Sequence, residues 1–195
     1  PEAAPRDKDM DETMTIALFT TTWAVSTTPT LFFTQYRKEK GMKPAVKYML
    51  TLGAIFAVCS MLTSYLQTPK AFAQYEGMLP LVLAIHTALW YLLLIALFLV
   101  ETTLVYLFTR PFGGHAGYKD TFRTIIYADT PSMAAGWIPV IGIAASIYGV
   151  VLQITGIGII HRLSAARAAA SVLIPTSIML ASSILLRFII PVPGT

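Results

Sequence analysis

The chain has 195 residues, of which 55% are hydrophobic and only 12% charged, and its mean hydropathy is +0.66. Ordinary soluble domains carry about 25% charged residues, so a water-facing globule is excluded. The net charge of +4 sits in short clusters between apolar runs, without the dense basic face that nucleic-acid binding needs, and the lone Cys59 excludes an internal disulfide and a thiolate metal cluster.

Residues 1–12 (PEAAPRDKDMDE) are charged and poor in apolar side chains, and read as a disordered tail or an expression remnant. Residues 13–36 are long enough to cross a bilayer, but they are crowded with threonine and interrupted by Pro29. A proline disfavours helical backbone at the residue before it, here Thr28. The favoured reading of 13–47 is an amphipathic interfacial segment. It rests Phe32, Phe33 and Tyr36 in the membrane interface and turns Arg37 and Lys38 toward anionic headgroups.

Four apolar runs follow, at 48–66, 79–108, 138–160 and 168–190. Each is close to or beyond the roughly 20 residues that a transmembrane helix requires. Between the second and third runs lies 121–137 (TFRTIIYADTPSMAAGW), short and weakly apolar, with Arg123, Asp129 and Pro131 inside it. The basic residues decide how to read it. Seven Lys/Arg precede the first run, one (Lys70) follows it, and 109–123 then holds three. The 128–137 stretch holds none, and 161–167 holds two. This alternation follows the positive-inside rule if 121–137 also crosses. The expected fold is therefore an all-α polytopic membrane bundle of five transmembrane helices. Its N-terminus is cytoplasmic and its C-terminus outside, and the membrane domain covers 48–190. A re-entrant 121–137 with four full spans is the alternative.

Helices in lipid associate where small residues let backbones approach. In 138–160, Gly142, Ser146, Gly149, Gln153 and Gly156 recur at spacings of four, three, four and three, which places them on one helix face. We read this stripe as a helix-packing seam with Gln153 hydrogen-bonded inside it, and a substrate path as the sharper alternative. Pro175 is the expected kink in the last span.

Ionisable groups at membrane depth are costly and mark candidate sites. Here they are His86, Glu101 and Asp129, with Gln153 as a polar companion; Arg187 near the chain end is expected to snorkel outward. The plainer expectation pairs Glu101 with Arg110 or Arg123, caps or hydrates Asp129, and leaves His86 a neutral, satisfied histidine. His86 and Glu101 are separated by roughly 22 Å of helix, which rules out a metal site built from that pair alone. His115 and His161 fall in cytoplasmic connections, with no ligand spacing that defines zinc. No phosphate loop, HExxH or Gly-flanked serine nucleophile is present, so catalytic, metal and cofactor sites are all expected to be absent.

From about 105 to 178 the chain resembles the Yip domain family, multi-pass membrane proteins known as partners of Ypt/Rab GTPases. The resemblance rests on GGHAGYKDTFRTIIYADTPSMAAGWIPVIG and on ITGIGIIHRLSAARAAASVLIP. It is similar to the family's ordered series of a Gly-Gly turn, a "TFR…YA..P" helix, a "WIP.IG" turn and a "G…H.LS..RA" loop. Pro29-x-x-Phe32-Phe33 is similar to the family's opening segment. The resemblance implies five spans, a cytoplasmic N-terminus, and homo-oligomers or complexes with other membrane proteins. A Rab-type GTPase partner belongs to the eukaryotic trafficking members, whose long Pro/Tyr-rich cytosolic region is missing here; the chain looks more like the minimal bacterial or archaeal type, in which the membrane is the cell membrane. The expected function is a membrane scaffold or adaptor without catalytic activity. The alternative is an ion channel or small-solute transporter that uses Glu101, Asp129 and Gln153. The discriminating observation is whether those three groups converge on a cavity or disperse.

Overall fold

A computed structural model describes residues 18–36 and 41–189. The tail at 1–12, and Arg37 and Lys38 of the expected interfacial anchor, lie outside the described residues. Among the described residues the fold is helical, with no strand. The elements are α1 (18–27), α2 (Pro29–Tyr36), α3 (Lys43–Gln67), the single turn α4 (Pro69–Phe72) leading into a 3-10 stretch (Ala73–Met78), α5 (Leu79–Thr109), α6 (Tyr118–Ala128), α7 (Thr130–Ala135), α8 (Ile141–His161) and α9 (Ala165–Ile189).

Prolines punctuate the chain as their missing N–H dictates. Pro44, Pro80 and Pro131 each open a helix within its first two positions, where the donor would be unsatisfied anyway. Pro29 does the same for α2, and Thr28 is the one non-helical residue between α1 and α2. The helical register still passes through, because Thr28 N donates to Ala24 O and Phe32 N donates to Thr28 O. Pro175 lies inside α9, which continues around it.

Four helices are long and apolar enough to cross a membrane: α3, α5, α8 and α9. They differ in what surrounds them. Only 6% of the most apolar window of α5 is buried against protein, compared with 39% for α8. The rest of this chain leaves α5 uncovered along most of its length, and α8 sits inside the bundle. α8 packs against α2, α6, α7 and α9, whereas α5 packs against α3, α6 and α9.

The segment with the weakest hydropathy occupies the most enclosed position. Every residue of α6 from Thr121 to Ala128 is buried, and α6 contacts α3, α5 and α8. Its surroundings are protein on several sides, so it needs no lipid-compatible surface, and Thr121, Thr124 and Arg123 are tolerated there. α6 ends at Asp129 (φ −80°, ψ 3°), and α7 restarts one residue later. Pro131 cannot donate to Tyr127 O, and the Thr130 hydroxyl supplies that bond instead at 2.7 Å.

α6 and α7 together run antiparallel along α8 without losing register. At one end His161 meets Thr121. Gly156 abuts Thr124, Gly149 abuts Ser132 and Ala128, and at the other end Gly142 abuts Gly136. Gly142, Gly149 and Gly156 of α8 therefore face α6 and α7, whereas Ser146, expected in the same seam, is exposed and turns its hydroxyl back to Gly142 O. A Cβ on Gly156 would lie 2.6 Å from the Thr124 methyl and one on Gly149 2.7 Å from Ser132 Oγ, so both positions need the bare backbone. The turn into α8 centres on Val140, whose φ of +69° is a strained conformation for a β-branched residue.

α2 lies against α8, with two of its three aromatic rings buried against protein. Phe33 and Tyr36 are buried, and Phe33 touches the bare face at Gly156. Phe32, Tyr36 and Tyr48 all contact the Tyr127 ring, with centroids 5.3, 4.6 and 5.2 Å away. These rings bind α2, α3 and α6 into one core.

Gly149→Leu forces a side chain into the space held by Ser132 and should destabilise the bundle by about 1–3 kcal/mol. Thermal unfolding in detergent measures this. An unchanged midpoint in that variant would remove the α7–α8 contact from the account.

Candidate functional site

Glu101, Asp129 and Gln153 come from three different elements and meet. Glu101 projects from α5, Asp129 sits at the break between α6 and α7, and Gln153 comes from α8. The Gln153 amide nitrogen donates to Glu101 Oε1 at 2.8 Å and to Asp129 Oδ1 at 2.7 Å. Both N–H groups of one primary amide are thus spent on two carboxyl groups. The carboxyl groups are also within hydrogen-bonding reach of each other.

Local backbone features make the meeting possible. Gly149 lies one helical turn from Gln153, and its missing side chain admits Ser132 and the Asp129 carboxylate, which would stand 3.7 Å from a Cβ there. Asp129 sits at the α6–α7 junction, where its carboxylate meets the Gln153 amide from α8. Beside the three groups is a small cavity of about 140 Å³. Phe56, Phe98 and Met133 form part of its apolar wall, and Glu101, Asp129 and Ser132 its polar part. Gln153 is buried, and its Oε1 has no hydrogen-bond partner among the described residues. The Thr102 hydroxyl, next to Glu101 in sequence, is likewise buried and unpartnered.

The available donors are oxygens: two carboxyl groups, an amide carbonyl and the Ser132 hydroxyl. Such a set suits a proton or a hard cation and lacks the nitrogen and sulfur ligands of zinc sites. Among the described residues there is no group of three or more His, Cys, Asp or Glu side chains placed to hold a metal ion.

Several expected pairings are replaced. Glu101 takes Gln153 as its partner, not Arg110 or Arg123. Arg110 donates to the Tyr106 hydroxyl and to Gly114 O. Arg123 donates through Nε to the Tyr36 hydroxyl at 2.6 Å, its guanidinium lies over the Tyr36 ring, and Asp120 is 3.7 Å away. Asp129 stands at the junction of α6 and α7 without a side-chain cap bond, is half-buried, and accepts from Gln153. His86 does not join the site: it is exposed on α5, and its Nδ1 is 3.0 Å from Val82 O of its own helix. His161, expected in a connecting loop, is the buried last residue of α8, with Nε2 2.8 Å from the Thr121 hydroxyl.

Sequence reasoning named the three central residues but missed Ser132 and the Arg123–Tyr36 and His161–Thr121 pairs. The available signal was the threonine and arginine content of 121–130, too polar for lipid contact and so a mark of polar partners on neighbouring helices.

The family model described as the Yip1 domain matches residues 23–186 of the chain. No curated protein and no solved structure matches it significantly.

Gln153→Leu removes both donors while leaving two carboxyl groups in place, and should cost about 1–3 kcal/mol of stability. Replacing Glu101, Asp129 and Gln153 together by Leu should recover part of that loss, because no polar group is then stranded. Detergent unfolding midpoints compare the two. A single variant as stable as the parent would contradict the bridging role of the amide.

Proposed function

Because the chain belongs to the Yip1 domain family, we propose that this multi-pass membrane protein makes five crossings and carries a proton or small monovalent cation at the Glu101–Asp129–Gln153 centre. One observation carries the reading: three polar side chains from three separate elements converge on one point beside a cavity. Dispersed groups, each with its own local partner, would have argued for packing alone. An interhelical lock needs hydrogen bonds but no ionisable groups, and serine, asparagine or glutamine supply them at lower cost in a membrane. Two carboxyl groups on one amide form a costly lock and a serviceable proton or cation station.

The fifth crossing is supported by the pairing of α6 and α7 with α8. The contacts run from His161 to Gly142 on α8 and from Thr121 to Gly136 along the α6–α7 segment. Whatever thickness α8 spans, α6 and α7 accompany it over nearly the whole distance. With five crossings, Lys43, Arg110, Lys119 and Arg162 share one face and Lys70 lies on the other. The positive-inside rule then supports a cytoplasmic N-terminus and an outside C-terminus. For a prokaryotic source the membrane is the cell membrane.

The scaffold or adaptor reading is the second, and its support is the outer surface. Leu81, Leu89, Leu92 and Leu97 of α5 are exposed and apolar. They offer a face to lipid, to a second copy of the chain or to another membrane protein, and on this reading the polar centre only holds the helices in place.

Reconstitution in liposomes distinguishes the two. With an imposed pH or potassium gradient and an internal dye, the parent protein should give flux above empty vesicles. Glu101→Gln combined with Asp129→Asn should return it to the empty-vesicle level. Parent vesicles that behave as empty ones would remove the transport reading and leave the scaffold.

A further inference from the structure

We propose that the end of the bundle formed by α2, the 110–117 connection, α6 and the last turn of α8 binds a phosphate-bearing anion. A cavity of about 500 Å³ opens there, lined by Tyr36, His115, Asp120, Arg123 and Arg162 among others. That volume falls within the usual range of small-ligand sites, roughly 300–1,000 Å³. The site is separate from the carboxylate centre and shares no residue with it.

The charge balance of the lining favours an anion. Among the described lining residues two are arginines and one is an aspartate, and the His115 imidazole adds a ring N–H donor in either charge state. Arg123 is buried and fixed: Nε is 2.6 Å from the Tyr36 hydroxyl, and its guanidinium carbon is 4.4 Å from the centre of the Tyr36 ring. A guanidinium held in one plane is pre-organised for an oxyanion. Asp120, 3.7 Å from Arg123 NH1, takes part of the charge and helps set that plane.

Arg162 is the less expected element. It caps α8 in the left-handed conformation, with φ +57° and ψ 40°. Glycine or asparagine normally takes that position, and a residue with a branched or long side chain there costs about 1 kcal/mol. An arginine here adds a second, exposed basic residue to the lining of the cavity. His115 comes to the same rim from the 110–117 connection, whose backbone reverses at Gly113, φ +87°.

Guanidinium and imidazole N–H groups make strong charge-assisted hydrogen bonds to phosphate oxygens. The phosphate can belong to an anionic phospholipid headgroup or to a soluble anion, and both have the same recognition chemistry.

The test uses the full chain in neutral detergent. Binding of dioleoylphosphatidylglycerol, against dioleoylphosphatidylcholine, is read by native mass spectrometry, and binding of inorganic phosphate by titration calorimetry. The exposed Arg162→Gln should fold normally and weaken binding by about tenfold, the worth of one charge-assisted hydrogen bond. Arg167→Gln, on the same end but outside the cavity, should bind like the parent. Retention of the anionic lipid alone assigns the site to a headgroup, and binding of inorganic phosphate as well assigns it to the phosphate group itself. Absence of binding to both probes would overturn the proposal. So would equal binding by the parent and Arg162→Gln, or an equal loss in Arg167→Gln.

Discussion

Polar groups inside a membrane protein have to satisfy one another, since neither lipid nor bulk water is at hand to do so. The amide of Gln153 between Glu101 and Asp129 is where this requirement is sharpest. For that bridge to form, α8 must approach the α6–α7 junction with no side chain between them, and Gly149 supplies the gap. The junction must also break, which Pro131 brings about by removing one helical donor. α5 must then lie close enough to bring Glu101 in. Much of the arrangement of the bundle follows from seating these three side chains.

The same requirement explains why the central element is the least hydrophobic. A helix wrapped by other helices contacts protein, so it can carry threonines and an arginine that the outermost helices cannot. α6 has its eight residues from Thr121 to Ala128 buried and is not among the helices apolar enough to cross by composition. α5 shows the reverse, with a very apolar sequence and little of it covered by protein. Low hydropathy here goes with enclosure by protein.

This is also where the sequence was readable and where it was not. The four apolar runs announced their helices directly, since lipid contact imposes composition on every exposed position. The stripe from Gly142 to Gly156 announced a packed face, because close approach demands small residues at helical spacing. Partners across helices were not legible. Glu101 finds Gln153 and Asp129, 52 and 28 residues away in sequence, and only the register of the helices decides that. The same holds for Tyr36 with Arg123 and for Thr121 with His161. For Glu101, charge and proximity in sequence pointed to Arg110 or Arg123 instead. The α2 rings were read as interfacial from their basic flank, yet Phe33 turns inward because Gly156 leaves a place for it.

The account rests on the α6–α7 segment traversing the lipid beside α8. Single cysteines introduced at Gly113, Arg162 and Trp137 in a Cys59→Ala background, and labelled with a membrane-impermeant maleimide in sealed cells, test this directly. The account predicts that positions 113 and 162 share one face, shielded until the membrane is opened, and that position 137 reacts from the other. Labelling of 113 and 162 on opposite faces would contradict it.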